Sequence, residues 1–140
     1  TVREPLCQRF LYPEPRLREG SALAAVATAM LDVSDGLHDD IDKLMVASGM
    51  GAELDAGLLQ LSAELRTAAA YRAIEHALTG GDDYELCFTV PERATARLRA
   101  IAADWDVPVT RIGTVVSEPG VRWQYQGRVL QVPDSTFRHF

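Results

Sequence analysis

The segment Asp32-Val33-Ser34-Asp35-Gly36 combines two carboxylates and a hydroxyl group at a spacing that could bind a phosphorylated ligand. We predict that a short buried strand ends here and a helix begins, so that Asp32 and Ser34 point to the same side of the backbone. Asp35 then lies near the helix N-terminus, where free N–H groups and the helix dipole favour phosphate. Because Mg²⁺ often bridges protein carboxylates to substrate phosphates, one interpretation of the segment is a site for Mg²⁺ and phosphate.

Helix capping is the alternative interpretation of the same residues. Ser34 or Asp35 could serve only as the N-cap, with Asp39 and Asp40 interacting favourably with the dipole from the first turn. Capping explains Asp32 poorly, because a carboxylate at the end of an apolar strand is rarely buried without a partner. Residue types and spacing leave both interpretations open.

A second segment, at 80–86, places two glycines and two aspartates directly before an apolar run. Such a turn could present Asp82 to a cationic or hydrogen-bonding ligand. Glycine and aspartate are also the residues expected at a helix C-cap and the turn that follows it, so a purely structural turn is the alternative. Glu85 is expected to point to solvent or to form a structural pair.

Two aromatic residues, Phe137 and Phe140, lie in a polar segment at the end of the sequence. Their rings could stack on a heteroaromatic ligand, or they could pin the terminus to the core. His139 between them is weak evidence for acid–base catalysis. No residue is identified as a catalytic base.

The elements that must position these residues follow from the spacing of apolar side chains. We predict helices over 16–27, from 37 to the glycines at 49 and 51, over 58–78 in one or two pieces, and over 94–105, with strands over 29–33, 52–55, 84–90, 109–116, 121–125 and 129–132. In the helix that begins at 37, the apolar face is predicted to comprise Leu37, Ile41, Leu44 and Met45, and the polar face His38, Asp39, Asp40, Asp42 and Lys43.

These elements predict an α+β fold in which helices pack against a mixed, largely antiparallel sheet. Residues 1–15 contain three prolines and are predicted to be an interdomain connector, which leaves 16–140 as one domain. The chain begins without Met, and we expect it to be a piece of a longer protein.

Composition excludes some classes of function. The 140 residues carry a formal net charge of −6 and no basic run, which argues against a nucleic-acid partner. No apolar stretch is long enough to suggest a membrane span. The two cysteines, Cys7 and Cys87, form no disulfide framework or zinc pattern, so we expect a cytoplasmic protein in which Cys87 is a shielded free thiol. The phosphate-loop and protein-kinase signatures are absent from the sequence.

The sequence resembles the thiamine-monophosphate kinase family across nearly its whole length. The matching stretches are YPEPRL at 12–17, LDVSDGL at 31–37, GGDDYELCFTVP at 80–91 and HF at 139–140. The Asp-x-Ser-Asp-Gly element also occurs in relatives that make aminoimidazole ribonucleotide or selenophosphate, whereas the element at 80–86 is more specific to the thiamine enzymes. The resemblance implies a fold like the C-terminal domain of aminoimidazole ribonucleotide synthetase.

The resemblance also implies an activity, which is transfer of the γ-phosphoryl group of ATP to thiamine monophosphate with Mg²⁺. By similarity, Asp32 and Asp35 are expected to bind metal, Ser34 to contact ATP, and Asp82 and Phe137 to contact thiamine monophosphate. Phe137 stands where the family often has Tyr. An N-terminal domain carrying most of the ATP site, and a homodimer, are expected as partners.

Two other functions remain open from the sequence. The chain could belong to another ATP-dependent enzyme of the same superfamily that uses a different acceptor. It could also be a binding module that has kept the fold and lost the chemistry.

Overall fold

A computed structural model describes residues 3–69 and 72–133 of the chain. In this part the helices are α1 (Arg3–Leu11), α2 (Leu17–Leu23), α3 (Leu37–Ser48), α4 (Ala63–Ala69), α5 (Ala73–Thr79) and α6 (Thr95–Ala102). The strands are β1 (Ala29–Asp32), β2 (Gly51–Asp55), β3 (Leu86–Thr89), β4 (Gly113–Val116), β5 (Gly120–Tyr125) and β6 (Arg128–Leu130). Among these helices, none combines the length and the apolar character that crossing a membrane would need.

Four strands form a mixed sheet in the order β4-β2-β5-β6. Strand β2 is antiparallel to β4 and parallel to β5, and β5 forms an antiparallel hairpin with β6. The hairpin turn has positive φ at both Gln126 and Gly127, the backbone geometry that matches strand twist in a tight turn. The predicted antiparallel pairing late in the chain is confirmed for β5 and β6, whereas β2 lies between β4 and β5.

The two remaining strands, β1 and β3, form a separate antiparallel sheet. Their register places Leu31 opposite Cys87 and Asp32 opposite Leu86. Leu31 and Cys87 pack toward the core, and burial raises the pKa of the free Cys87 thiol to about 11. The α+β class is therefore confirmed, with the strands divided between two sheets.

Helix α3 packs its apolar face against the four-stranded sheet. Its predicted face is confirmed for Ile41, Leu44 and Met45, which are buried, while Leu37 is partly buried. Trp123 of β5 is 4% exposed in the same core, and its Nε1 donates a hydrogen bond to Nδ1 of His38 at 3.1 Å. These contacts hold the first turn of α3 against the sheet.

The prediction for the polar face of α3 was wrong at one position. Asp40 is only 3% exposed, whereas Asp42 and Lys43 are exposed as expected. Asp40 lies three residues after Leu37 and four before Leu44, on the stripe that faces the protein. Its burial is explained by the hydrogen bonds that its carboxylate accepts.

Element boundaries differ from prediction at both ends of the chain: β4 begins at Gly113 rather than at 109, and α6 ends at Ala102 rather than at 105. A helix, α1, occupies much of the segment predicted as a connector, and Pro5 fits into its first turn, where no N–H partner is lost. Helix α2 is shorter than the predicted 16–27, and the segment 58–78 forms two main helices, which was one of the two predicted arrangements. The role of residues 1–15 as a connector between domains stays a prediction.

Candidate functional site

The two motifs singled out in the sequence lie side by side in the structure. Beyond the ends of β1 and β3, the N–H of Tyr84 donates to the carbonyl of Val33, and the N–H of Val33 donates to the carbonyl of Glu85, both at 2.8 Å. The N–H of Asp82 then donates to the carbonyl of Ser34, also at 2.8 Å. Backbone pairing therefore brings the predicted phosphate segment and the predicted acceptor segment together.

The capping interpretation of Ser34 and Asp35 is wrong, because the N-cap of α3 is Gly36 and no side chain caps the helix. Gly36 has φ 115° and ψ 144°, a backbone region that only glycine adopts readily. A Cβ atom at this position would also lie 3.2 Å from the carbonyl carbon and oxygen of Thr79, at the end of α5. The sharp bend between β1 and α3 thus depends on glycine.

The buried carboxylate of Asp40 holds the loop between β1 and α3. Its Oδ2 accepts hydrogen bonds from the N–H of Ser34 at 2.8 Å and from the N–H of Asp35 at 2.9 Å. Its Oδ1 accepts from Nζ of Lys43 at 2.8 Å. Burial alone would raise the pKa of Asp40, but the bonds from Lys43 and the two N–H groups outweigh it and lower the pKa. The side chain is therefore an anion in the folded protein.

Lys43 contacts two carboxylates at once. Its ammonium group donates to Asp35 Oδ2 as well as to Asp40 Oδ1. The bond to Asp35 and then the bond to Asp40 raise the pKa of Lys43 above its ordinary value. A cation thus already interacts with Asp35, one of the two predicted metal ligands.

The acceptor segment has a strained backbone around Asp82. Asp82 has φ 62° and Tyr84 has φ 51°, values that are uncommon for residues with side chains and that often mark functional sites. The Tyr84 hydroxyl donates to Asp82 Oδ1 at 3.3 Å. The charge of Asp82 first, then burial and the hydrogen bond to Asp82, and last the charge of Asp32 raise the pKa of Tyr84.

The structural interpretation of the glycines at 80–81 is confirmed in part. Gly80 is the C-cap of α5, and its N–H donates to the carbonyl of His76 at 2.8 Å. The cap at Gly80 leads into the turn that contains Asp82, and the role of Asp82 as a ligand contact stays a prediction.

Glu85 forms the structural pair that was one of its two predicted roles. Its Oε2 accepts from Nε of Arg16 at 3.0 Å and its Oε1 accepts from Nη2 of Arg16 at 2.9 Å, while Arg9 donates to Oε1 as well. The Arg16 side chain is only 10% exposed. This bidentate pair joins the segment before α2 to the acceptor segment.

The predicted metal ligands, Asp32 and Asp35, supply carboxylate oxygens, which are the kind of ligand that Mg²⁺ prefers. Asp32 is exposed at the end of β1 and Asp35 is partly buried in the loop that follows. No group of three or more His, Cys, Asp or Glu residues suited to a metal ion occurs within residues 3–69 and 72–133. Two carboxylates fit Mg²⁺ when substrate phosphates and water complete its shell. Phe137, Arg138, His139 and Phe140 lie outside the described residues.

Sequence reasoning missed Asp40 as a member of the site. The available signal was its place on the apolar stripe of α3, because a carboxylate on such a stripe must have partners. Arg16 was missed too, although it stands in one of the stretches that carry the family resemblance. The pairing of Arg16 with Glu85 could not be identified from spacing, because 69 residues separate the two.

The sequence of this chain matches the model of a known protein family. Residues 9–126 match the model of the AIR synthase related protein, C-terminal domain. The chain belongs to this family. The match covers both candidate segments, the loop before α3 and the turn before β3.

Individual relatives are more specific. The thiamine-monophosphate kinase of Salmonella typhimurium strain LT2 is 39% identical over 137 residues, which is 96% of this chain and 42% of the relative. The crystal structure of the thiamine-monophosphate kinase from Stenotrophomonas maltophilia K279a is 39% identical with a TM-score of 0.83, covering 92% of this chain and 40% of that one. The structure of AaThiL complexed with AMPPCP and TMP is 32% identical with a TM-score of 0.77, and the match covers 99% of this chain and 42% of that one. The chain therefore spans well under half the length of these relatives.

Proposed function

We propose that this chain is the C-terminal part of a kinase that transfers the γ-phosphoryl group of ATP to thiamine monophosphate. The observation that carries the proposal is the backbone pairing of Val33 and Ser34 with residues 82–85, because it places the segment predicted to bind phosphate beside the segment predicted to bind the acceptor. The relatives named as thiamine-monophosphate kinases support the choice of acceptor.

Within the proposed site, each segment has its own task. Ser34 and the N-terminal end of α3 bind the phosphates of ATP, because helix N-termini favour anions. Asp32 and Asp35 hold Mg²⁺, which when bound neutralises charge on the phosphoryl group in transfer. Asp82 contacts thiamine monophosphate, with Phe137 as a further contact. Positioning and charge neutralisation then account for most of the catalysis, with no covalent step on the protein.

The remaining machinery belongs to other parts of the protein. The relatives are more than twice as long as this chain, which supports a further N-terminal part that supplies most of the ATP site. We also propose a homodimer and a cytoplasmic location for the complete enzyme.

Two alternatives use the same fold. A different acceptor would keep the segment around Ser34 and change the contacts at Asp82, and the relatives named as thiamine-monophosphate kinases favour thiamine monophosphate over such an acceptor. A binding module without activity is less favoured, because the acidic group at Asp32 and Asp82 and the buried charge at Asp40 bring no evident gain in packing.

An assay of the longest gene product that contains residues 1–140 tests the proposal. With ATP, Mg²⁺ and thiamine monophosphate, we expect formation of thiamine diphosphate. Asp32→Asn should lower kcat by roughly a hundredfold, because it removes a charge that helps to stabilise the transferring phosphoryl group. Thermal unfolding should be unchanged, since Asp32 is exposed.

Asp106→Asn is the matched control, because Asp106 is an exposed aspartate beyond α6. Its turnover should equal that of the wild type. Turnover of other phosphate acceptors, with none on thiamine monophosphate, would favour the alternative enzyme. The absence of any ATP-dependent turnover would favour the binding module.

A further inference from the structure

Asp40 is a buried charge directed at the backbone of the proposed catalytic loop. Its Oδ2 accepts hydrogen bonds from the N–H groups of Ser34 and Asp35, and both residues lie outside α3. A residue that merely capped the helix would instead bind the free N–H groups of its first turn. The contacts of Asp40 therefore serve the loop rather than the helix.

We propose that Asp40 is a positioning residue that sets the orientation of Ser34 and Asp35 for ATP and metal. This inference rests on the proposed function, since it assigns those two residues to the ligand. Fixing both N–H groups on one oxygen fixes the two peptide planes and therefore the directions in which the Ser34 and Asp35 side chains leave the backbone. Groups one step removed from a metal or substrate commonly act in this way.

The second oxygen of Asp40 completes the arrangement. Oδ1 accepts from Lys43, whose ammonium group also contacts Asp35. One cation thus contacts two neighbouring carboxylates and offsets the repulsion between them. Burying a carboxylate is costly unless it is paired and hydrogen-bonded, and Asp40 has three donors for its two oxygens.

The two oxygens of Asp40 have different hydrogen-bond partners, and two variants separate the effects of losing them. Asp40→Ala removes both the N–H acceptor and the partner of Lys43. Asp40→Asn can keep its oxygen on the two N–H groups, but its amide then turns a donor toward Lys43, which is itself a donor. We expect the alanine variant to lose the loop geometry and the asparagine variant to fall between it and the wild type.

Amide hydrogen exchange and steady-state kinetics of the same gene product test the proposal. In Asp40→Ala, exchange at Ser34 and Asp35 should accelerate by about tenfold or more relative to amides of β2. The value of kcat/KM for ATP should fall by about 10- to 100-fold, while KM for thiamine monophosphate stays within about twofold. Asp42→Asn, which removes an exposed charge from the same helix, should match the wild type in every measurement.

Separate results would overturn this inference and the proposed function. If folded Asp40→Asn and Asp40→Ala proteins keep wild-type exchange at Ser34 and Asp35, or keep wild-type kinetics for ATP, Asp40 does not position the loop. A parallel loss for ATP and for thiamine monophosphate would indicate general destabilisation and would also overturn it. An inactive wild-type protein would contradict the proposed function, and the exchange rates would still decide whether Asp40 holds the loop.

Discussion

The four-stranded sheet and the two-stranded sheet of this molecule are stabilised by different kinds of contact. In the four-stranded sheet, apolar side chains of β2 and β5 meet the apolar face of α3. The buried cluster there consists of Ile41, Leu44, Met45, Ala52, Leu54, Ala56, Leu78 and Trp123. Such burial contributes most of the free energy of folding.

The end of the two-stranded sheet that carries the candidate site is polar instead. Its segments are joined by backbone hydrogen bonds, by the bidentate pair of Arg16 and Glu85, and by the contacts of Asp40 and Lys43. Partly exposed ion pairs contribute little net stability, although they define geometry.

The difference indicates that one region supplies stability and the other supplies orientation. Loops that bind ligands commonly have low local stability, because their groups must remain accessible. We therefore expect substitutions in the first region to act on the free energy of unfolding, and substitutions in the second to act first on the site.

Trp123→Ala should give the largest loss of stability. Removal of this buried indole leaves a cavity and is expected to lower the free energy of unfolding by about 3–5 kcal/mol, measured by urea denaturation. Val129→Ala on the neighbouring strand is the control, because Val129 is 81% exposed and its loss should be within about 0.5 kcal/mol. Similar losses for both variants would show that this sheet is not the main source of stability.

Gly36→Ala should lower the free energy of unfolding by an intermediate amount, and Gly49→Ala is the variant to compare with it. Both glycines have positive φ, but only Gly36 has backbone atoms within 3.4 Å of the added Cβ, while Gly49 has nothing within 4 Å. We expect a loss of about 2–3 kcal/mol for Gly36→Ala and about 1 kcal/mol for Gly49→Ala. Equal losses by thermal or urea unfolding would mean that the contact with Thr79 imposes no constraint on the loop.

Glu85→Gln should have the smallest effect and a specific pH dependence. The variant weakens the pair with Arg16, at a cost of about 1 kcal/mol, given that Glu85 is partly exposed. Burial would raise the pKa of Glu85, but Arg16 and Arg9 outweigh it and lower the pKa below 4.5. The stabilisation is therefore complete above the ordinary pKa of 4.5 and is lost as the pH falls below it.

Urea denaturation of wild type and Glu85→Gln between about pH 3 and pH 7 measures this difference. The two proteins should converge at the acid end of that range. Glu92→Gln, which breaks the exposed pair of Glu92 with Arg111, should cost about 0.5 kcal/mol or less. A difference in the free energy of unfolding that widens toward acid would contradict the lowered pKa of Glu85.

Much of the local structure could be predicted from the sequence. The strand before Asp32, the apolar face of α3, its end at Gly49 and the hairpin at Gln126–Gly127 follow from short-range patterns, because each depends on residues close together in the chain. The resemblance to thiamine-monophosphate kinases rests likewise on short stretches of sequence. The two site segments were recognised for the same reason.

Only the tertiary structure decided which of these segments meet. Strand β2 separates β4 from β5, Asp82 bonds to Ser34, and Arg16 reaches Glu85, and each contact joins residues far apart in the chain. The structure also excluded Ser34 and Asp35 as the N-cap, here through contacts that are close in the chain, because Gly36 is the N-cap and Asp40 holds the loop from the buried side. Local patterns determine which residues are candidates for binding phosphate and place Asp40 beside Ser34 and Asp35, whereas long-range packing determines that residues 82–85 lie against this loop.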